Sequence, residues 1–252
     1  MNRLITLISL LLIHNLISAQ DFNQDYQEEI LTIINCIKKE NTDKLKALVR
    51  YPLRREYPLS DIKNESEFIH RYREIFDDSL VNKIVNSDIK NDWSIVRWRG
   101  VMLDHGALWL DNDGRLIAVN YQSEAERNKR EKLIENDKDL IHNTLRNFEQ
   151  PKLLLETEKF RIRIDELSNG VFRYASWSIN ASMSEKPELV IENGNWMPEG
   201  SGGNNKYVFI NGDYIYECSI NVVGTDETPH ADLTVYKNKN EILYQAAKII
   251  RN

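Results

Sequence analysis

The chain is poor in the residues that mark several protein classes. It has two cysteines, Cys36 and Cys218, in 252 residues. That is too few for a disulfide framework or a Cys-x-x-Cys zinc site. In an oxidising compartment the two could pair, but Cys36 stands among Ile33, Ile34 and Ile37, where a thiol behaves as a small hydrophobe. Two buried free thiols are expected. Ten glycines and six prolines are too sparse for collagen-like or low-complexity sequence, and 41% apolar residues suffice for a packed core. A basic excess is also lacking: 33 Lys and Arg face 39 Asp and Glu, for a net charge of −6. Phosphate-backbone binding needs a positive stripe, so nucleic acid is excluded as a partner. There is no Gly-x-Ser-x-Gly elbow, His-Glu-x-x-His helix or Walker loop. No cofactor and no metal site is expected.

One long apolar run is present, at the start. Met1-Asn2-Arg3 supplies a positive region, Leu4 to Ile17 is mostly apolar, and Ser18-Ala19-Gln20 follows. That order is a secretory signal peptide over 1–19, cleaved after Ala19. His14 and Asn15 interrupt the run, which leaves it short of the roughly 18–20 residues of a spanning helix. The expected location is periplasmic or secreted, with no transmembrane segment after cleavage. Cleavage removes Arg3 and takes the net charge to −7.

Residues 20–122 read as an α+β domain. Tyr26, Ile30, Ile33, Ile34 and Ile37 recur at helical spacing. Asn41-Thr42-Asp43 starts a shorter helix with Leu45, Leu48 and Val49 inward, and Asn64 caps a third with Phe68, Ile69, Tyr72, Ile75 and Phe76 inward. Between them the two prolines of Pro52 to Leu59 restrict the chain to an extended segment. Three helices thus precede a meander of short strands from Trp93 to Val119, turned at Asp113-Gly114. This element order, with Tyr51-Pro52-Leu53 before a capped helix, resembles the nuclear-transport-factor-2-like cone. The resemblance implies helices packed on a curved antiparallel sheet and carries no catalytic motif. Residues 123–150 are densely charged and read as one or two exposed connector helices, with a break at Asn136-Asp137.

Residues 151–252 read as an all-β domain. Phe160 to Asp165 alternates strictly, and Asn169-Gly170, Asn193-Gly194 and Asn211-Gly212 each lie between apolar runs, the strongest short-range hairpin cue. Lys237 to Asn240 joins a last hairpin. Seven or eight antiparallel strands make a small barrel or sandwich.

The candidate binding feature is the glycine-rich loop Gly200, Ser201, Gly202, Gly203 and Asn204. Phosphate loops open helices, whereas this one opens the strand Lys206-Tyr207-Val208-Phe209, so a nucleotide site is not expected. The run from Arg161 to Asp165 through Arg173 to Trp177, Lys186 to Val190, Gly200 to Asn204 and Tyr214 to Tyr216 is similar to a domain of exported bacterial proteins of Bacteroidetes type, of unknown function. It distantly resembles the barrels that inhibit C-type lysozyme, which present a Ser-Gly loop to the enzyme's cleft. That resemblance implies Ser201 and Gly202 as contact residues, although its Ser-Gly-x-x-Tyr order is only approximated by Ser201 to Tyr207. Trp177, Trp196 and Tyr207, with Tyr174, Tyr214 and Tyr216, are candidates for a glycan-binding face, or else core and cross-strand pairs. Asp104-His105 is the single acid/base pair in sequence, and Asp-x-Gly at a strand end is commonly turn chemistry.

Three function classes are consistent with this. The first is a non-catalytic module that recognises a protein or cell-envelope glycan through the β domain. The second is a small-molecule-binding or enzymatic cone using Asp104 and His105. The third is an envelope structural protein. The first is the expected one.

Overall fold

The computed structural model describes residues 26–250, apart from the side chain of Arg97. The expected signal peptide lies outside the described residues. Two compact units divide the rest, one holding the chain to Glu56 with Asp61–Asn128, the other Tyr57–Ser60 with Lys129 onward. Among the described residues no helix is long and apolar enough to cross a membrane.

In the first unit, the three helices after the first start at side-chain caps. α1 is Gln27–Lys38 and α2 is Thr42–Ala47, where the Asn41 side chain accepts from the Lys44 N–H at 3.0 Å. α3 is Glu65–Ile75, where Asn64 accepts from the Glu67 N–H at 3.0 Å. Each such cap satisfies an otherwise orphaned helix donor. Three helices were expected before the sheet, and among the described residues there are four. α4, Asp78–Val85, begins one residue after its cap, Asp77, which accepts from the Leu80 N–H at 2.9 Å. The apolar stripe of Leu80 and Ile84 is too short to announce a helix by periodicity alone. Strands β1 (Trp93–Ile95), β2 (Val101–Leu103), β3 (Leu108–Leu110) and β4 (Leu116–Val119) form an antiparallel sheet in sequence order. Its core joins Ile33 and Ile37 of α1, Phe68 and Ile75 of α3, and Leu103, Leu108 and Leu116 of the sheet.

Of the one or two connector helices expected there is one, α5, Glu124–Leu140, and it runs on through Asn136-Asp137 with no break. It is also not a solvated face, because Glu126, Arg130 and Ile134 are buried and Asp137 is nearly so. Their spacing of three and four residues makes one helical stripe, with charge in place of hydrocarbon. In the first unit Glu126 takes both Arg55, Nε to Oε1 at 2.7 Å with Nη2 to Oε2, and Arg71 at 3.4 Å. The remaining Arg55 donors reach the carbonyls of Val119 and Tyr121. In the second unit Asp137 accepts from Arg163 Nη2 at 2.5 Å.

The second unit is a closed eight-stranded barrel. Its strands are β5 (Gln150–Glu156), β6 (Phe160–Glu166), β7 (Phe172–Ser178), β8 (Leu189–Glu199), β9 (Asn204–Asn211), β10 (Tyr214–Ile220), β11 (Ala231–Lys237) and β12 (Asn240–Ile249). Each pairs antiparallel with the next, and β12 returns to β5 through Lys248 with Glu156 and Ile249 with Leu155. Of the barrel and sandwich alternatives, the barrel is the one formed. Alternation along β6 sends Ile162 and Ile164 into the barrel and Arg163 and Asp165 to its outer side. There Asp165 joins Arg163 and Arg173, each at 2.7 Å, while Arg173 also donates to the Leu145 carbonyl at 2.6 Å. The Phe148 ring lies 4.8 Å from the Arg163 guanidinium. Burial opposes the charge of Arg163, and Asp165 and Asp137 outweigh it, so its pKa is raised.

The Asn-Gly pairs divide in outcome. Asn169-Gly170 lies in the β6–β7 connection, and Asn211 ends β9 with Gly212 opening the turn to β10. Asn193-Gly194 does not turn the chain and instead lies inside β8. Asn193 has φ +61, and the partners of β7 step from Ile191 to Gly194 opposite Tyr174 and Phe172. That is one extra residue, a bulge. A Cβ on Gly194 would sit 2.1 Å from the Phe209 ring, so only glycine fits.

Removing one partner of a buried charge pair leaves the others uncompensated, at a cost of about 3–5 kcal/mol, against at most about 1 kcal/mol for a surface pair. Glu126→Gln is therefore expected to lower the urea midpoint sharply, and Glu40→Gln, which loses only the exposed pair with Arg73, to leave it nearly unchanged. Equal midpoints for the two variants would contradict the reading of Glu126 as a structural anion.

Candidate functional site

Barrel geometry sorts the aromatic candidates by strand parity. Cross-strand partners share a face of the sheet, and Trp196 is the partner of Tyr207, which belongs to the barrel core. Beyond the Asn193 bulge the inward row of β8 is therefore Gly194 and Trp196. Trp196 stands at the end of that row and is 47% exposed. Trp177 is on the outer side of β7 and only 1% exposed, clustered with Ile134, Leu145 and Phe148. Its indole N–H donates to the Glu185 carbonyl at 2.9 Å, so it is a core residue and not part of a binding face.

The inward aromatics fall at two mouths. At one, an open cleft of about 440 Å³ is lined by Trp196, Tyr207, Phe172, Lys152, Asn195 and the glycines 170 and 194. The Phe172 and Tyr207 rings meet edge to face at 5.0 Å. Trp196 is held by its N–H, which donates to Asn205 Oδ1 at 3.0 Å. Lys152 is held by Glu166 at 2.7 Å and Gln150 at 2.9 Å, so its ammonium is fixed beside the cleft. Gly170 leaves open space beside the cleft, whereas the place of a Gly194 side chain is taken by the Phe209 ring. The Tyr207 phenol is pushed up to about 12, first by burial and then by Glu166, so at neutral pH it is a hydroxyl. Tyr174, Tyr214 and Tyr216 line a cavity at the opposite mouth.

The glycine-rich loop connects β8 to β9 at the same end as Trp196. Gly200 and Gly203 have φ of +69 and +96, values that favour glycine. Ser201 is exposed at the tip. Asn204 anchors the loop's end. Its Oδ1 accepts from the N–H groups of Val222 and Val223 at 2.9 and 2.8 Å, and its Nδ2 donates to the Val223 carbonyl at 3.0 Å. The loop is thus tied to the β10–β11 connection, beside exposed Val222 and Val223. All eleven candidate binding residues lie in the barrel unit, and seven of them, 200–204 with Trp196 and Tyr207, gather at one end. Lys152, Phe172 and Asn195 belong with them and were not singled out from sequence. Phe172, two residues before Tyr174 on the same inward row, is the one whose pattern could have disclosed it.

Asp104 and His105 occupy a 3-10 turn in the first unit, with φ of +41 and +53. The Asp104 carboxylate accepts from Lys83 Nζ and is 38% exposed. That hydrogen bond, then the Lys83 charge, lowers its pKa. A solvated carboxylate held ionised by lysine is poorly suited to act as a base. Cys36 and Cys218 are buried free thiols, one in each unit's core. Burial raises the pKa of both, which keeps them unreactive.

No family model, curated protein or solved structure matches the chain.

Two outcomes follow from this placement. Trp177→Ala is expected to cost about 3–5 kcal/mol, and Trp196→Ala less than about 1 kcal/mol, measured by chemical denaturation. A large loss at Trp196 would move it into the core. The raised Tyr207 pKa means that its contribution to stability is full below the ordinary phenol value of about 10 and is lost as pH rises through about 12. Tyr207→Phe is expected to remove a late step from the tyrosinate absorbance titration and to flatten the loss of stability in that window; an unchanged titration would contradict it.

Proposed function

We propose that this chain is a non-catalytic binding protein, secreted or periplasmic, that engages a cell-envelope glycan at the Trp196 mouth of its barrel. One observation carries the reading: a half-exposed indole, fixed by a hydrogen bond, stands over an open cleft whose lining is shared between aromatic and polar groups. A sugar ring has an apolar face that stacks on an indole and hydroxyls that need donors and acceptors at its edge. Trp196 and Phe172 provide the first, and Lys152, Asn195 and the Tyr207 hydroxyl the second. Gly170, with nothing within 4 Å of where a Cβ would stand, lets a ring come close to the backbone.

A second reading has its own support. Val222 at 66% and Val223 at 56% exposure form an apolar tip beside the glycine-rich loop, which suits a protein partner, in line with the resemblance to lysozyme inhibitors through Ser201 and Gly202. The signal-like first nineteen residues support an exported location, and the acidic surface suits a soluble one.

Titration of the full chain with N-acetylglucosamine oligomers, followed by tryptophan fluorescence, tests the first reading. Trp196→Ala is expected to weaken binding by about 2 kcal/mol, roughly thirtyfold in Kd, as for a buried aromatic anchor. Failure of these oligomers and of soluble envelope polysaccharides to bind, together with an envelope protein captured by the wild type and lost with Val223→Asp, would replace it by the second reading.

A further inference from the structure

The barrel has a second mouth that the glycan reading leaves unused. Antiparallel order places Glu156, Phe160, Ser178, Leu189, Asn211 and Tyr214 at one end, opposite Trp196 and the glycine-rich loop. A cavity of about 320 Å³ opens there. Its walls are mostly hydrocarbon and ring carbon: Leu189, Leu233, Val235, Leu243 and the tyrosines 174 and 216. Ile242 stands at its rim with 54% of its surface in water.

We propose that this cavity is a separate site for a compact, uncharged, largely apolar small molecule. Its size is at the lower end of ligand cavities, about 300–1,000 Å³, which fits one or two rings or a short chain. The lining is ill suited to ions. Glu188 is its sole carboxylate, exposed to water, and the Ser178 N–H donates to its Oε1 at 3.2 Å. Lys237 is directed at Tyr214, with Nζ 5.0 Å from the ring centre. A charged ligand would lose its hydration against walls that are mostly carbon, whereas an apolar one gains burial for itself and for Ile242. Water gains little there, since carbon walls give it few of the two to four hydrogen bonds that it needs. The polar groups within reach are the hydroxyls of Tyr174, Tyr216 and Ser176, and they suit a ligand with one oxygen or nitrogen at its edge.

The two mouths are separated inside the barrel. Tyr216 contacts Tyr174 with ring centres 5.6 Å apart, Tyr174 contacts Phe209 at 5.5 Å, and Phe209 closes over Gly194, which lines the Trp196 cleft. A row of rings therefore fills the middle, and binding at one mouth leaves the other intact.

The test uses N-phenyl-1-naphthylamine, an uncharged probe that brightens in apolar surroundings, with the full chain. Saturable brightening is expected. Val235→Trp, which fills the cavity, is expected to weaken binding at least tenfold. Ile242→Arg, at an exposed rim position that folding tolerates, places a cation at the entrance and is expected to weaken it at least fivefold, with the melting temperature unchanged. Trp196→Ala is expected to leave the probe's Kd within twofold. The proposal is overturned if the probe does not saturate, if Ile242→Arg leaves binding within twofold, or if Trp196→Ala abolishes it. Because the glycan titration reads the opposite mouth, either proposal can fail while the other holds.

Discussion

Closure of the second sheet is the constraint from which the rest of the barrel unit follows. β12 meets β5 along a short seam, where Ile249 faces Leu155 and the Ile250 N–H donates to the Leu154 carbonyl at 2.9 Å. Closing the sheet removes its edges and divides every strand into inward and outward residues. Eight strands leave an interior that side chains nearly fill, so space for a ligand remains only at the ends. The rings of Tyr174 and Phe209 occupy the middle, and both candidate sites are what lies beyond them.

The outer side of the barrel needs a different explanation. A closed barrel with one core would normally carry solvated residues outside, yet Arg163, Asp165, Arg173 and Trp177 are all buried. Residues of α5 and the segment after it, Ile134, Ile141, Leu145 and Phe148, form a second small core there with Ala175 and Trp177. Within it two guanidiniums share one carboxylate, and Asp137 takes a further donor. Such a network contributes little net stability relative to hydrocarbon, but it is costly to break. Glu126 plays the corresponding part in the first unit, with Arg55 and Arg71.

These particulars explain what was legible in the sequence. The α+β then all-β order could be read because helix caps and period-two alternation are local signals, and Asn41, Asn64 and the run Phe160 to Asp165 behave as their neighbours dictate. α5 misled because burial was inferred from hydrocarbon. A stripe of Glu126, Arg130, Ile134 and Asp137 has the right period, but charge pairing supplies the partners, and those are remote in sequence. For Trp177 the core alternative is the one that holds, and the choice depended on what covers the outer side of its strand. At the site, the glycine-rich loop and Trp196 were found as separate cues. Their shared end of the barrel, and the company of Lys152 and Phe172, depend on which strands are neighbours after closure.

The Asn193 bulge acts on the phase of a whole strand. Before it the inward residues of β8 are odd-numbered, Leu189 and Ile191; after it they are even-numbered, Gly194 and Trp196. Were the same sequence to run as regular strand with no bulge, Asn195 and Met197 would face the mouth and Trp196 the outside. The indole faces the cleft because of a frame shift in the backbone three residues earlier, so the aromatic character of this mouth is stored at a position that has no part in the cleft itself.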